Sequence, residues 1–360
     1  WAWQAGRNTE PTSVTKIGLG TGIVGLAALL FSYGSLGTTQ PDTVNVGWAL
    51  AGWLIMGLAW MYYWPTTLAL VSRAAPPRVA PDWLEAHRGH PGVRILDCTT
   101  YMFPQPVGPS RIESGRPDFE RGHVPGAQYV NMATDMSEPG GAFPYTLPSP
   151  QRIEEILGAL GIGNEHHIVL YGRGHPMPVT RVWYVLRAHG HDAVSVLDGG
   201  FERWQREGRP TSQTPRSWPR TRYQARPDPR RIADADTVHA ALTDPATRIV
   251  NALSREQHGG TGGAHYGRPG RIPGSVNVPA RELVDPDTGC FLPEQALRAR
   301  CAAAGALDAP RTIVYCGGGI AATTPAFAMA LLGHDGWCVY DNPLLEWSAD
   351  PARPMESDAG

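Results

Sequence analysis

Between Arg121 and Trp347 the chain repeats itself. RGHVPGAQYVNM (Arg121–Met132) is answered by PGRIPGSVNVPA (Pro269–Ala280), HIVLYGRG by TIVYCGGG, and HGHDAVSVLDGGFERW by LGHDGWCVYDNPLLEW. The offsets stay between 143 and 148 residues and keep their order, and the pairs His191/His334 and Trp204/Trp347 share an offset of 143. Self-similarity that preserves order and spacing means one structural plan used twice. The expectation is therefore two homologous domains of about 130 residues, 76–212 and 228–357, joined by the Pro/Arg/Ser-rich segment Pro210–Pro229.

Each copy alternates short β-branched runs (RILDC, HIVLY, VSVLD; then RIVNA, TIVYC, CVYD) with helical stretches such as QRIEEILGAL, TRVWYVLRAHG, EQALRARCAAAG and PAFAMALLG. Continuous apolar strands separated by crossover helices predict α/β domains, each a parallel sheet with helices on both faces. In such open sheets ligands gather beyond the carboxyl ends of the strands. Cys316 stands at such an end.

After Tyr315 the chain reads Cys316-Gly317-Gly318-Gly319-Ile320-Ala321, and a helix is predicted from about Ala322 to Leu332. Glycines let successive N–H groups turn inward, and a helix N-terminus adds partial positive charge at the same place. Both favour a thiolate, the nucleophilic form of cysteine. With Tyr315 matched to Tyr171, Cys316 falls on Gly172, and the first copy's loop also carries Pro176 and Pro178, which donate no N–H. The second domain is thus expected to be catalytic and the first a structural or cleft-forming partner.

Two long uncharged runs precede the repeats, Ile17–Gly37 and Val44–Ser72. Each is long enough to span a bilayer core of roughly 30 Å. Joined by TTQPD, with Lys16 before the first and Arg73 and Arg78 after the second, they predict a two-helix transmembrane hairpin (about 17–37 and 44–64, within an anchor 1–75) whose ends both face the cytoplasm. Tyr62, Tyr63 and Trp64 fit an interfacial belt. The expected location is a cytoplasmic or inner membrane, with contact to a membrane-protein complex through the hairpin. The 31 basic and 33 acidic residues balance closely enough to exclude an electrostatic case for nucleic acid. Five scattered cysteines lack paired spacing, which suits a reducing compartment, and His87, His90, His166 and His167 lack the company of a metal site.

Several blocks in order, GRPDFERGHVPGAQYVNM, TRVWYVLRAHGHDAVSVLDGGFERWQREGRP, YGRPGRIPGSVNVP, GCFLP, IVYCGGGIAA and YDNPLLEWSADPARPME, resemble the tandem rhodanese family of thiosulfate and 3-mercaptopyruvate sulfurtransferases over about residues 80–356. The resemblance implies a cysteine that takes sulfane sulfur from an anionic donor as a persulfide and passes it to a thiol or other nucleophile, with no metal or organic cofactor. Cys316 matches the catalytic cysteine, and Gly317, Gly318, Gly319, Ile320 and Ala321 match its amide cradle.

The sequence departs from the family in three places. Asn251 stands where the opening strand usually ends in aspartate; Gly317 and Gly318 replace the basic residues of thiosulfate-preferring members; and Gly259 occupies one place where mercaptopyruvate-type members carry arginine. Arg268, Arg271 and Arg255 of the second domain and Arg181 of the first are the candidates to hold the donor anion, since a guanidinium fork suits carboxylates and sulfonates. Ala322 stands where the related phosphatases of this fold need arginine. The alternative reading is a weak or silent rhodanese module serving as an accessory subunit of a membrane complex.

Overall fold

The computed structural model describes residues 77–359, and the expected transmembrane hairpin lies outside the described residues. Among those residues no helix is long and apolar enough to cross a membrane. The first half runs β1 (Arg78–Val79), α1 (Pro81–His87), β2 (Val93–Asp97), β3 (Thr100–Phe103), β4 (Arg111–Ser114), α2 (Arg116–Arg121), β5 (Ala127–Tyr129), α3 (Pro150–Ala159), β6 (His167–Tyr171), α4 (Met177–Ala188), β7 (Val194–Leu197) and α5 (Gly200–Arg206). The second runs β8 (Ile232–Ala233), α6 (Ala235–Ala241), β9 (Thr247–Asn251), α7 (Arg255–Gly259), β10 (Val276–Asn277), a 3₁₀ turn (Ala280–Leu283), α8 (Glu294–Ala303), β11 (Arg311–Tyr315), α9 (Thr323–Leu331), β12 (Trp337–Tyr340) and α10 (Pro343–Trp347).

Both halves build the same five-stranded sheet. The orders are β1-β7-β6-β2-β5 and β8-β12-β11-β9-β10, with every pairing parallel. The central strands are buried along almost their whole length, which is why they read as unbroken apolar runs instead of alternating ones. Tyr171 pairs with Asp97 and Tyr315 with Asn251, so β6 and β11 end at equivalent tyrosines. The chain residue after each tyrosine is therefore Gly172 in one half and Cys316 in the other. The first half adds an antiparallel hairpin, β3–β4.

Helix α4 shows why the halves cannot be separated cleanly. All its residues but Arg187 are buried, the pattern of a helix covered on every side. Its counterpart α9 packs against it. Thr180 Oγ1 lies 2.9 Å from Thr323 Oγ1 and 3.1 Å from Thr324 Oγ1, and the Trp183 indole meets Phe327 edge-on at 5.0 Å. One buried apolar cluster consequently runs through both sheets, from Leu96 and Leu170 to Val250 and Ile313.

The two halves also exchange matching loop braces. Asp198, after β7, accepts the Phe291 N–H at 3.0 Å, and Asp341, after β12, accepts the Leu147 N–H at 2.6 Å. The contact is a near two-fold exchange, and it closes loops of each half over the strand ends of the other.

Candidate active site

The site begins with a fixed phenol. The Tyr315 hydroxyl accepts from Ile272 N at 3.0 Å and from Asn251 Nδ2 at 2.9 Å and pairs with Ser275 Oγ at 2.8 Å. Burial pushes this phenol up to about 12. Asn251, which stands where the first half has Asp97, thus spends its amide on the residue that precedes Cys316 and its oxygen on Leu253 N at 2.8 Å. Losing the carboxylate removes a charge without loosening the strand end.

Cys316 is 2% exposed, and its sulfur accepts the Gly319 N–H at 3.1 Å. Gly319 has φ +87°, and a Cβ there would come within 2.3 Å of the Asp341 carbonyl oxygen, so the amide can face the sulfur only in glycine. A Cβ on Gly317 would fall 2.0 Å from Tyr266 Cζ, because the Tyr266 ring lies against that peptide. Helix α9 has Ala322 at its N-cap, so no side chain covers its first amides. Burial raises the Cys316 thiol above its ordinary range, and the N–H groups of Ala322, Gly319, Gly318 and Ala321 pull it back only in part. The sequence predicts a cradle that favours the thiolate; the amides do act in that direction, and the burial of a loop roofed by the other half opposes them more strongly.

The sulfur opens on an inner cavity of about 40 Å³. Met102, Pro109, Ser110 and Tyr145 of the first half wall it against Leu253 and Tyr266 of the second. Beyond it lies an outer chamber of about 380 Å³ that shares Met102, Ser110, Leu253, Tyr266 and Ala321 with the inner one. Tyr145 holds φ +62°, an uncommon conformation for a residue with a Cβ. Its carbonyl is gripped by Arg181 Nη2. Tyr266 is raised by burial, then by the neighbouring Cys316 and Tyr145.

The four arginines picked from the sequence do not converge on the sulfur. Arg181 is fully buried behind the cradle, its Nη1 donating to the Gly319 carbonyl at 3.1 Å and pairing with Asp341 Oδ1 at 2.5 Å. Arg268 donates to the backbone carbonyls of Trp347, Ser348, Asp350 and Arg353, tying down the C-terminal segment. Arg271 pairs with Glu356 at 2.5 Å and Asp358 at 2.8 Å. Arg255 lines the outer chamber but forks onto Glu282, with Nη2 at 2.8 Å. The sequence offers these four arginines as candidates to hold the donor anion; in the structure each donates to carbonyls or carboxylates of its own chain. Sequence reasoning missed Tyr145 and Tyr266, which no local pattern links to a cysteine so far along the chain, and Arg281, which also lines the outer chamber.

In the first half the equivalent position is closed. A Cβ on Gly172 would meet Val179 Cγ2 at 2.8 Å, and Pro178 enters α4 where an amide would be needed. One half therefore carries a cysteine in an amide loop and the other supplies its roof.

The rhodanese-like domain profile matches this chain twice, over residues 80–207 and 234–350. The chain belongs to the rhodanese family. Among its relatives, the mitochondrial thiosulfate/3-mercaptopyruvate sulfurtransferase 1 of Arabidopsis thaliana is 26% identical over 349 residues, covering 90% of this chain and 89% of that protein. Human 3-mercaptopyruvate sulfurtransferase is 28% identical over 279 residues, 76% of this chain and 90% of that one. The crystal structure of SseA from Escherichia coli, described as a 3-mercaptopyruvate sulfotransferase of rhodanese fold, superposes with a TM-score of 0.64 at 26% identity and covers 74% of this chain and 98% of its own. Tum1 of Saccharomyces cerevisiae, at 18% identity and a TM-score of 0.66, shares the fold over 78% of this chain and 98% of its own. This rhodanese is an enzyme of the sulfurtransferase class.

Proposed function

We propose that this rhodanese moves sulfane sulfur from an anionic donor, thiosulfate or 3-mercaptopyruvate, through a persulfide on Cys316 to a thiol acceptor, and that its first 75 residues anchor it in a membrane with both rhodanese halves on the cytoplasmic side. The observation that carries the reading is the buried Cys316 sulfur taking the Gly319 amide at the floor of a cavity made by both halves. With thiosulfate, the Cys316 thiolate attacks the outer sulfur, the S–S bond breaks, and sulfite leaves with the electron pair. With 3-mercaptopyruvate the C–S bond breaks instead, and the carbon takes a proton to give pyruvate. An acceptor thiolate then attacks the outer persulfide sulfur, and the pair returns to Cys316 Sγ. The loop amides steady both sulfur anions.

Intact mass of the purified chain after either donor tests this. A gain of one sulfur, removed by a thiol and absent from Cys316→Ser, is the expected result; a folded, reduced protein that gains nothing with either donor overturns it. For the anchor, labelling of residues 38–42 from the cytoplasmic face of sealed vesicles would contradict the orientation.

The burial that raises the Cys316 thiol favours a second reading, a slow or silent module attached to a membrane complex. Turnover too slow to matter beside normal loading would support it.

A further inference from the structure

The two chambers above Cys316 differ in charge. The inner one, at the sulfur, has no charged side chain in its wall. The outer one holds two guanidiniums, Arg255 and Arg281, and two carboxylates, Glu256 and Glu282. Glu282 is already shared between Arg255 and Arg300, the latter from outside the chamber lining, so its charge is spent away from Arg281. Arg281 is the one in the chamber with its fork unspent: among the described residues it makes no hydrogen bond or ion pair.

Its place is also well fixed. Arg281 sits in the 3₁₀ turn Ala280–Leu283, whose two end residues are buried and whose Ala280 N–H donates to the Ala252 carbonyl at 2.9 Å. The backbone is thus held while the exposed side chain reaches over the chamber mouth. Arg281 also lines the neighbouring cavity at the closed loop of the first half, and its charge adds to the burial that lowers His175 to about 4. Glu202, Asp285 and Asp287 line that same cavity, but among the described residues none of them pairs with Arg281.

We infer that Arg281 binds a carboxylate of a peptide-sized thiol whose sulfur reaches through the inner cavity to Cys316, and so sets which acceptor takes the persulfide sulfur. The inference rests on the persulfide reading of Cys316. A chamber of about 380 Å³ lies within the usual size of small-molecule sites, whereas the inner cavity has room only for the reacting end. An acceptor that uses both chambers must therefore carry its thiol and its charge apart. At the sulfur the guanidinium of Arg181 stands behind the cradle and is already paired with Asp341, whereas a thiol with a distant carboxylate finds an unpaired one, Arg281, in the outer chamber. In the step itself the acceptor thiolate bonds to the outer sulfur, the Cys316 S–S bond breaks, and the electron pair goes to Cys316.

The test uses the full chain loaded with sulfur, freed of donor, and mixed with glutathione, 2-mercaptoethanol or cysteamine at matched thiolate concentration. Wild type should prefer the carboxylate-bearing glutathione over the cationic cysteamine. Arg281→Gln should lower the glutathione-to-2-mercaptoethanol rate ratio about tenfold, the scale of one charge-assisted hydrogen bond. Arg281→Glu should turn the preference toward cysteamine. Unchanged ratios in both variants, or an equal fall for all three thiols, overturn the inference while leaving the persulfide intact. A wild-type chain that never gains sulfur overturns both. A persulfide discharged rapidly by a protein thiol but equally slowly by all three small thiols also overturns it.

Discussion

At the scale of single residues the balance at Cys316 is between desolvation and amides, and desolvation wins. The sign follows: a thiol raised above its ordinary 9.0 is mostly protonated at neutral pH, and the reactive thiolate grows as pH rises. The second-order rate of sulfur loading should therefore still be climbing at pH 9, and a loading rate already flat by pH 7.5 would show that the amides win. Gly319→Ala sets a second test. Its Cβ meets the Asp341 carbonyl and its φ of +87° is strained for alanine, a cost of about 1–2 kcal/mol. Turning that peptide away removes the N–H from the sulfur, so loading should fall by about tenfold or more while the melting temperature drops only a few degrees. Asn251→Leu separates support from chemistry, since it orphans Leu253 N and one Tyr315 contact. A loss of about 1–3 kcal/mol is expected in denaturant titration.

At the scale of elements, α4 and α9 decide both stability and site. Trp183 is fully buried and packs 5.0 Å from both Phe327 and Trp337, across the halves. Trp183→Ala should cost about 3–5 kcal/mol, whereas Trp183→Phe, which also removes an unpartnered indole N–H, should cost much less. Equal losses would mean that packing volume is not what the helix contributes. The strands, helices and Cys316 loop were legible in the sequence because they rest on local pattern: unbroken apolar runs, glycine clustering and one repeat read against the other. The cavity was not. Its walls come from Met102 and Tyr145 as much as from Leu253 and Tyr266, and only the docking of α4 on α9 brings them together. The contacts of the candidate arginines were not legible for the same reason. A fork that fits a carboxylate also fits backbone carbonyls, and Arg268 spends its donors on four of them.

At the scale of the whole molecule, the first half holds the Cys316 loop through the buried Arg181–Asp341 ion pair. Arg181 is stripped of water, which alone would lower its pKa, yet Asp341 raises it overall, and the same guanidinium holds the Gly319 carbonyl. Removing one partner of such a pair leaves a buried charge, typically at about 3–5 kcal/mol, whereas removing both charges costs far less. Arg181→Met should therefore destabilise strongly through unpaired Asp341. Adding Asp341→Asn, which still offers an oxygen to Leu147 N, should recover most of the loss. Sulfur loading should not recover with it, because neither variant keeps the Arg181 guanidinium that holds both the Gly319 and Tyr145 carbonyls. Thermal unfolding and intact mass on the two variants separate the roles. Stability and loading that recover together would reduce Arg181 to an ion-pair partner; stability that recovers alone makes the first half a working part of the site it does not itself contain.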